Sequence, residues 1–197
     1  MKEAKWIYAN NEDNTSRYLL GIEGERPIFC FGINPSTAEP NAMDNTIRKV
    51  TKISEHNNYD SWIMMNVFPV RSTKFDDLCE ELTDNGKFEH KKNIDFIKTT
   101  LSKYGKVDIW LAFGDHIFDR SYLPNCFIEI YNALSDIEIN WYATKLNKSG
   151  TPVHPLYQKD DSDFVKFDSD SFIKIEIEKF RKKLERKAKR QAKKNGK

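Results

Sequence analysis

Four apolar runs in this chain each break off at residues that can hydrogen-bond or exchange protons. Ile28–Ile33 gives way to Asn34-Pro35-Ser36-Thr37, and Trp62–Met65 to Asn66 and then Arg71-Ser72-Thr73. Val107–Phe113 ends at Gly114-Asp115-His116, and Ile137–Leu146 runs into a loop that delivers His154 between Val153 and Pro155. A carboxamide offers a donor and an acceptor side by side, a guanidinium offers a fork for an oxyanion, and an imidazole titrates near neutrality. Together they suit recognition of a small polar ring or an anion. Each residue also has a structural use. Asn34 and Asn66 can satisfy nearby backbone, Arg71 can pair with Asp76 or Asp77, and Asp44 and Thr46 can cap a helix. The four histidines, His56, His90, His116 and His154, lack metal-ligand spacing. There is no glycine-rich phosphate loop and no nucleophile elbow, so neither a metal nor a cofactor is expected.

The elements that must carry these residues follow from the same runs. Each is short, apolar and bounded by turn residues, the pattern of a strand buried on both faces. Between them lie amphipathic stretches. Asp44 is placed to N-cap a helix through Thr46–Ile53, with Ile47, Val50 and Ile53 facing the sheet. Further helices are predicted over Phe88–Tyr104 and Pro124–Asp136, with a short one over Asp76–Leu82. Strands alternating with helices predict a three-layer α/β/α fold around a mainly parallel, four-stranded central sheet. Lys5–Ala9 and Arg17–Ile22 read as strands at its periphery. In a parallel sheet the four breaks lie on one edge, where such folds bind ligands, so Asn34, Asn66, Arg71 and His154 should surround one pocket.

At 197 residues the chain is sized for a single domain. It has no membrane-spanning apolar run and no signal-peptide core at its start, so a cytoplasmic location is expected. Cys30, Cys79 and Cys126 are far apart and odd in number, which suits reduced buried thiols and cannot supply a four-cysteine cluster. The net charge of +2 conceals two opposed parts. Residues 179–197 hold eleven Lys or Arg against one acid, a net of +10, whereas residues 1–178 carry 21 basic and 29 acidic groups, a net of −8. The division is an α/β domain over 1–178 and a basic helical tail over 179–197. Ile173, Ile177, Phe180 and Leu184 form a stripe that should dock the first part of the last helix. Such a tail is often a solvated helix face, but its charge makes nucleic acid or a nucleotide the expected partner. The oligomeric state is not encoded in any pattern of this kind.

These landmarks resemble a family of bacterial and phage proteins known as domain of unknown function 1643. The resemblance runs through Arg17-Tyr18-Leu19-Leu20, Asn34-Pro35-Ser36-Thr37-Ala38, Asp44-Asn45-Thr46-Ile47-Arg48, Asn66–Thr73 and His154-Pro155-Leu156-Tyr157, in that order. It implies no established activity.

A second, more distant resemblance is to the uracil-DNA glycosylase superfamily. Gly32-Ile33-Asn34-Pro35 is similar to the first active-site motif of its mismatch-specific branch. Asn66–Thr73 is similar to that branch's central strand and loop with its Arg-x-Thr, Val107–Gly114 to its third strand, and His154-Pro155 to the start of its His-Pro-Ser motif. The Ser-Pro-Leu continuation that wedges into DNA in that superfamily is absent, since Leu156-Tyr157 follows instead. The resemblance implies that Asn34 positions an attacking water, Asn66 reads a base edge and His154 stabilises a departing base. Ser36, Asp44, Thr46, Arg48, Arg71, Thr73 and Gly114 would complete the substrate site. The expected function is recognition of a nucleobase or nucleotide, with hydrolysis of an N-glycosidic bond as the reaction. Two alternatives stand beside it. One is a non-catalytic nucleic-acid-binding module that relies on the tail. The other is an enzyme acting on a small nucleotide or phosphorylated metabolite, with Arg71 and Arg48 as anion clamps.

Overall fold

The central strands bury alternate residues on opposite faces, and this alternation is what builds three layers. In the computed structural model, which describes residues 5–195, Phe29, Phe31, Ile63, Met65, Ile109 and Leu111 point into one core. Their neighbours Ile28, Cys30, Trp62, Met64, Trp110 and Ala112 point into a second. Among the described residues the strands are β1 (Trp6–Asn10), β2 (Arg17–Ile22), β3 (Pro27–Gly32), β4 (Ser61–Asn66), β5 (Lys106–Leu111), β6 (Glu138–Ala143) and β7 (Val165–Lys166). Helix α1 (Asn45–His56) covers the second face through Ile47, Val50 and Ile53. Helices α2 (Asp84–Leu101) and α3 (Leu123–Ala133) cover the first through Ile97, Leu101, Cys126, Phe127 and Ile130.

The described sheet has seven strands in the order β1-β2-β4-β3-β5-β6-β7, where four central strands and two at the periphery were expected. The parallel centre β4-β3-β5-β6 is the predicted one, and antiparallel strands extend it on both sides. β1 and β2 form a hairpin that joins the same sheet through Leu20 and Gly21 against β4. Gly21 is required there, because a Cβ would stand 2.6 Å from the carbonyl oxygen of Trp62. β7, two residues long, carries too little pattern to be read in advance. The short helix expected over Asp76–Leu82 is instead a 3-10 turn at Phe75–Asp77. Of the three thiols expected to be buried, Cys30 and Cys126 are buried and Cys79 is exposed.

The C-terminal helix begins with a single turn α4 (Ser169–Ser171), continues as a π-helical segment Phe172–Ile177 and becomes α5 (Glu178–Asn195). Phe172 and Ile177 enter the first core, and the ring of Phe180 packs tilted against that of Phe118, with centroids 4.9 Å apart. Arg181 is tied to Asn125 at 2.5 Å, so the early part of the basic stretch is docked on the body. Among the described residues no helix is long and apolar enough to cross a membrane.

Candidate functional site

The parallel order leaves a crevice at one place. β3 lies between β4 and β5, and the chain reaches β4 through α1 on one face but β5 through α2 on the other. This reversal parts the loops that leave β3 and β5, the position where open α/β sheets take ligands. A cavity of about 230 Å³ lies there, between Gly32–Asn34, Asn66, Phe113, His154 and the start of α1.

Asn66 ends β4 directly opposite Gly32 and is completely buried. The period of two puts it on the same side as Trp62 and Met64, facing the α1 layer. Neither its Oδ1 nor its Nδ2 finds a partner among the described residues. Leaving such groups unpaired costs roughly 1–3 kcal/mol each. Gly32 provides the room: a Cβ there would stand 3.1 Å from Asn66 Oδ1 and 2.6 Å from Met64 Cε.

Asn34 is fixed from two sides, donating through Nδ2 to the carbonyls of Pro35 at 3.1 Å and Ser72 at 3.2 Å. That leaves Oδ1 as the acceptor it can offer. Asp44 caps α1, taking the Ile47 amide at 2.9 Å, and together with Thr46 brings the positive end of that helix to the cavity.

His154 sits at the head of the 3-10 turn Pro155–Tyr157, where its Nδ1 accepts from the Leu156 amide at 3.3 Å. The remaining proton is therefore on Nε2. Burial pulls its pKa down to about 4, the charge of His116 acts in the same direction, and Asp44 opposes them. At neutral pH it is an uncharged donor. Its loop is clamped to the end of β5: Asp115 accepts from the hydroxyls of Ser149 and Thr151, and the Gly114 amide donates to Pro152 at 2.9 Å. Gly114 has φ of 66°, and a Cβ there would come within 3.4 Å of His154 Cβ.

Asn34, Ser36, Asp44, Thr46, Asn66, Thr73 and His154 thus line one cavity. The other three predicted residues lie elsewhere. Arg71 borders a second, outer cavity of about 530 Å³ that shares Ser36, Ser72 and Thr73 with the inner one. Its guanidinium is engaged by Ser36 O, by Tyr8 Oη at 2.7 Å and by Asn14 at 3.2 Å, with Glu39 at 3.7 Å. These bonds lock the loops around the site together. Gly114 backs His154, as described. Arg48 is exposed on α1 and bonds Asn45 at 3.0 Å, away from the cavity.

Three polar lining residues escaped the sequence-based site: Arg17, Ser72 and His116. Ser72 and His116 adjoin residues that were singled out. Arg17 had a signal of its own, a charge inside an otherwise apolar strand.

The fold and site define an α/β protein with a small polar pocket at the switch point of its sheet. Residues 17–156 match the family model described as "Protein of unknown function (DUF1643)", and the chain belongs to that family. No curated protein and no solved structure matches it.

Proposed function

We propose that the inner cavity is a receptor for a nucleobase, and that the chain hydrolyses the N-glycosidic bond of the base it holds. The observation that carries this reading is the Asn66 amide, buried with both polar atoms unpartnered and bordering the cavity. A donor and an acceptor side by side complement the adjacent N–H and C=O of a pyrimidine or purine edge. The motif likeness to the uracil-DNA glycosylases points to the same use of Asn34, Asn66 and His154.

The chemistry follows from what lines the cavity. Water held by Asn34 Oδ1 attacks the anomeric carbon as the carbon–nitrogen bond to the base breaks. Asp44 is the carboxylate that lines the inner cavity, and it accepts the proton released by that water. The departing base carries the bonding electron pair and is stabilised by a hydrogen bond from Nε2–H of His154. Because His154 is uncharged at neutral pH, it supplies a dipole and not a proton, so the rate rests on positioning and leaving-group stabilisation.

The test combines binding and turnover on full-length protein. Free uracil, hypoxanthine and adenine are titrated by ligand-observed NMR, and single-stranded oligonucleotides containing each base are assayed for base release. Binding of one base that is lost in Asn66→Asp, which replaces the amide donor by an acceptor, supports the receptor. Release that Asn34→Ala abolishes supports the hydrolase. Identical binding by wild type and Asn66→Asp would end the assignment of Asn66.

A further inference from the structure

Arg17 is the least explained charge in the molecule. It is 2% exposed, on β2 beside the carboxyl end of β4, and it borders the inner cavity. Nη1 donates to the carbonyl of Ala38 at 3.0 Å, while Nε is buried and has no partner among the described residues. Those residues also give it no contact ion pair. Tyr18, Glu89 and Arg120, the neighbouring kinds of buried polar group, are each satisfied: Tyr18 and Glu89 bond one another at 2.6 Å, and Arg120 meets Leu78 O and Glu80. Leaving a guanidinium buried with no contact ion pair and its Nε unbonded is costly, so a partner from outside the chain is the physical expectation.

Two further features make the place suited to an anion. Arg71 brings a second guanidinium to the same carbonyl, its Nη1 lying 3.5 Å from Ala38 O. Glu39 answers Arg71 at 3.7 Å, but Arg17 is stabilised by Asp44 and Glu39 only across longer distances. The amino end of α1, a helix of 12 residues, opens on the same cavity through Thr46 and Ile47, adding its positive dipole. Burial and the charge of Arg71 pull the Arg17 pKa down to about 10, which still leaves it cationic at neutral pH.

We propose that Arg17 is the oxyanion receptor of this site, and that the base-bearing ligand carries a phosphate which takes the unpaired Nε edge of its guanidinium. The proposal rests on the nucleobase reading of the inner cavity and narrows it from any base-containing molecule to nucleotides. It also moves the anion contact from Arg71 and Arg48 to a residue deeper in the fold. The phosphate has two possible sources, a free mononucleotide or a residue of a strand, and the two are separable by experiment.

The experiment is calorimetric titration of full-length protein with the common nucleosides, their 5′-monophosphates, inorganic phosphate and a short single-stranded oligonucleotide. A charge-assisted bidentate contact should make one monophosphate bind at least about tenfold more tightly than its nucleoside. Arg17→Gln should bring that ratio to within about twofold of unity while the nucleoside affinity stays, and Arg17→Lys should restore part of it. If Arg17→Gln does not fold, the wild-type ratio and Arg17→Lys still decide. Equal binding of nucleoside and monophosphate by wild type would overturn the oxyanion site and leave the base receptor standing. Binding of inorganic phosphate that Arg17→Gln removes, with no affinity for any base or nucleoside, would do the reverse. A monophosphate preference unchanged in Arg17→Gln would place the anion elsewhere. Preference for the oligonucleotide over every mononucleotide would assign the phosphate to a strand.

Discussion

Asn66→Leu should produce a protein that is more stable and no longer binds a base. The amide of Asn66 has two groups buried without partners, each costing roughly 1–3 kcal/mol. Leucine has a similar shape and brings no polar atom. Its branched end must fit beside Gly32 and Met64, and the flexible methionine side chain can yield. Taking about 3 kcal/mol, from the lower half of the combined range, as the relief of both groups and setting a packing penalty of about 1–2 kcal/mol against it leaves a net gain of about 1–2 kcal/mol. For a chain of this length each kcal/mol moves the melting temperature by about 2–4 °C, so the increase should be about 2–8 °C.

Differential scanning calorimetry of wild type and variant measures this directly, with base titration on the same samples. The sign is informative, because most substitutions at buried positions lower stability by about 0.5–3 kcal/mol. Asn93 is the control. It too is buried, with its Oδ1 unpartnered, but its Nδ2 donates to the main-chain carbonyl of Asn66 at 2.9 Å, a bond that Asn93→Leu breaks, so that variant should lower the melting temperature. A fall of several degrees in Asn66→Leu would show that the Asn66 amide is satisfied in solution and holds the strand end, which refutes its reading as a vacant receptor.

Gly32→Ala should weaken base binding at least about tenfold, measured by NMR titration, because its Cβ would press on Asn66 Oδ1 at 3.1 Å and on Met64 Cε at 2.6 Å. His154 binds its proton at about pH 4 when folded and near 6.5 when unfolded. The unfolded state therefore takes up the proton first, so stability is full above pH 6.5 and falls as the pH drops toward 4. Melting temperatures across that window should fall more steeply for wild type than for His154→Gln, and parallel curves would contradict the burial of His154. Deleting residues 186–197 should remove most affinity for an oligonucleotide. The log–log salt slope, read by fluorescence anisotropy, should flatten by about 0.7 for each single-strand phosphate that the shortened chain no longer neutralises. Equal slopes for the full-length and shortened chains would end the polyanion role of the tail.

Much of the architecture was legible because the central strands are apolar on both faces and stop at polar residues. Ile28–Ile33 and Trp62–Met65 could hardly be anything else, and the cap at Asp44 with Ile47, Val50 and Ile53 marks α1 correctly. The gathering of Asn34, Asn66 and His154 followed from the parallel order alone. What stayed hidden depended on long-range partners. Arg71 looked like an anion clamp of the same pocket because Tyr8, Asn14 and Ser36 are remote in sequence, yet together they lock it in place. Arg48 looked like a ligand group from its neighbourhood, but with Ile47 and Val50 facing the core it is left on the solvent side of α1. Arg17 showed only as a charge in an apolar strand. A lone charge at the start of a strand reads as a sheet edge, and only the pairing of β2 with β4 brings it inside.

That pairing links the extra strands to the site. A four-stranded parallel sheet would leave β4 as an edge, with Asn66 at the rim and in contact with water. The hairpin of β1 and β2 closes that edge, and the same hairpin contributes Arg17 and, through Tyr8 and Asn14, the partners of Arg71. Burying the end of β4 removes water from the Asn66 amide, which raises both the cost of leaving it unpaired and the gain on meeting a matching ring. Excluding water from the guanidinium has the same effect on an anion. In the proposed receptor the antiparallel extension is therefore a working part: it withdraws from water a polar strand end that water would otherwise satisfy. The first turns of the basic helix dock on Phe118 and Asn125. On the proposed reading, attraction for a polyanion and selection of a base rest on different parts of the chain, so deleting residues 186–197 should remove the first and leave the second.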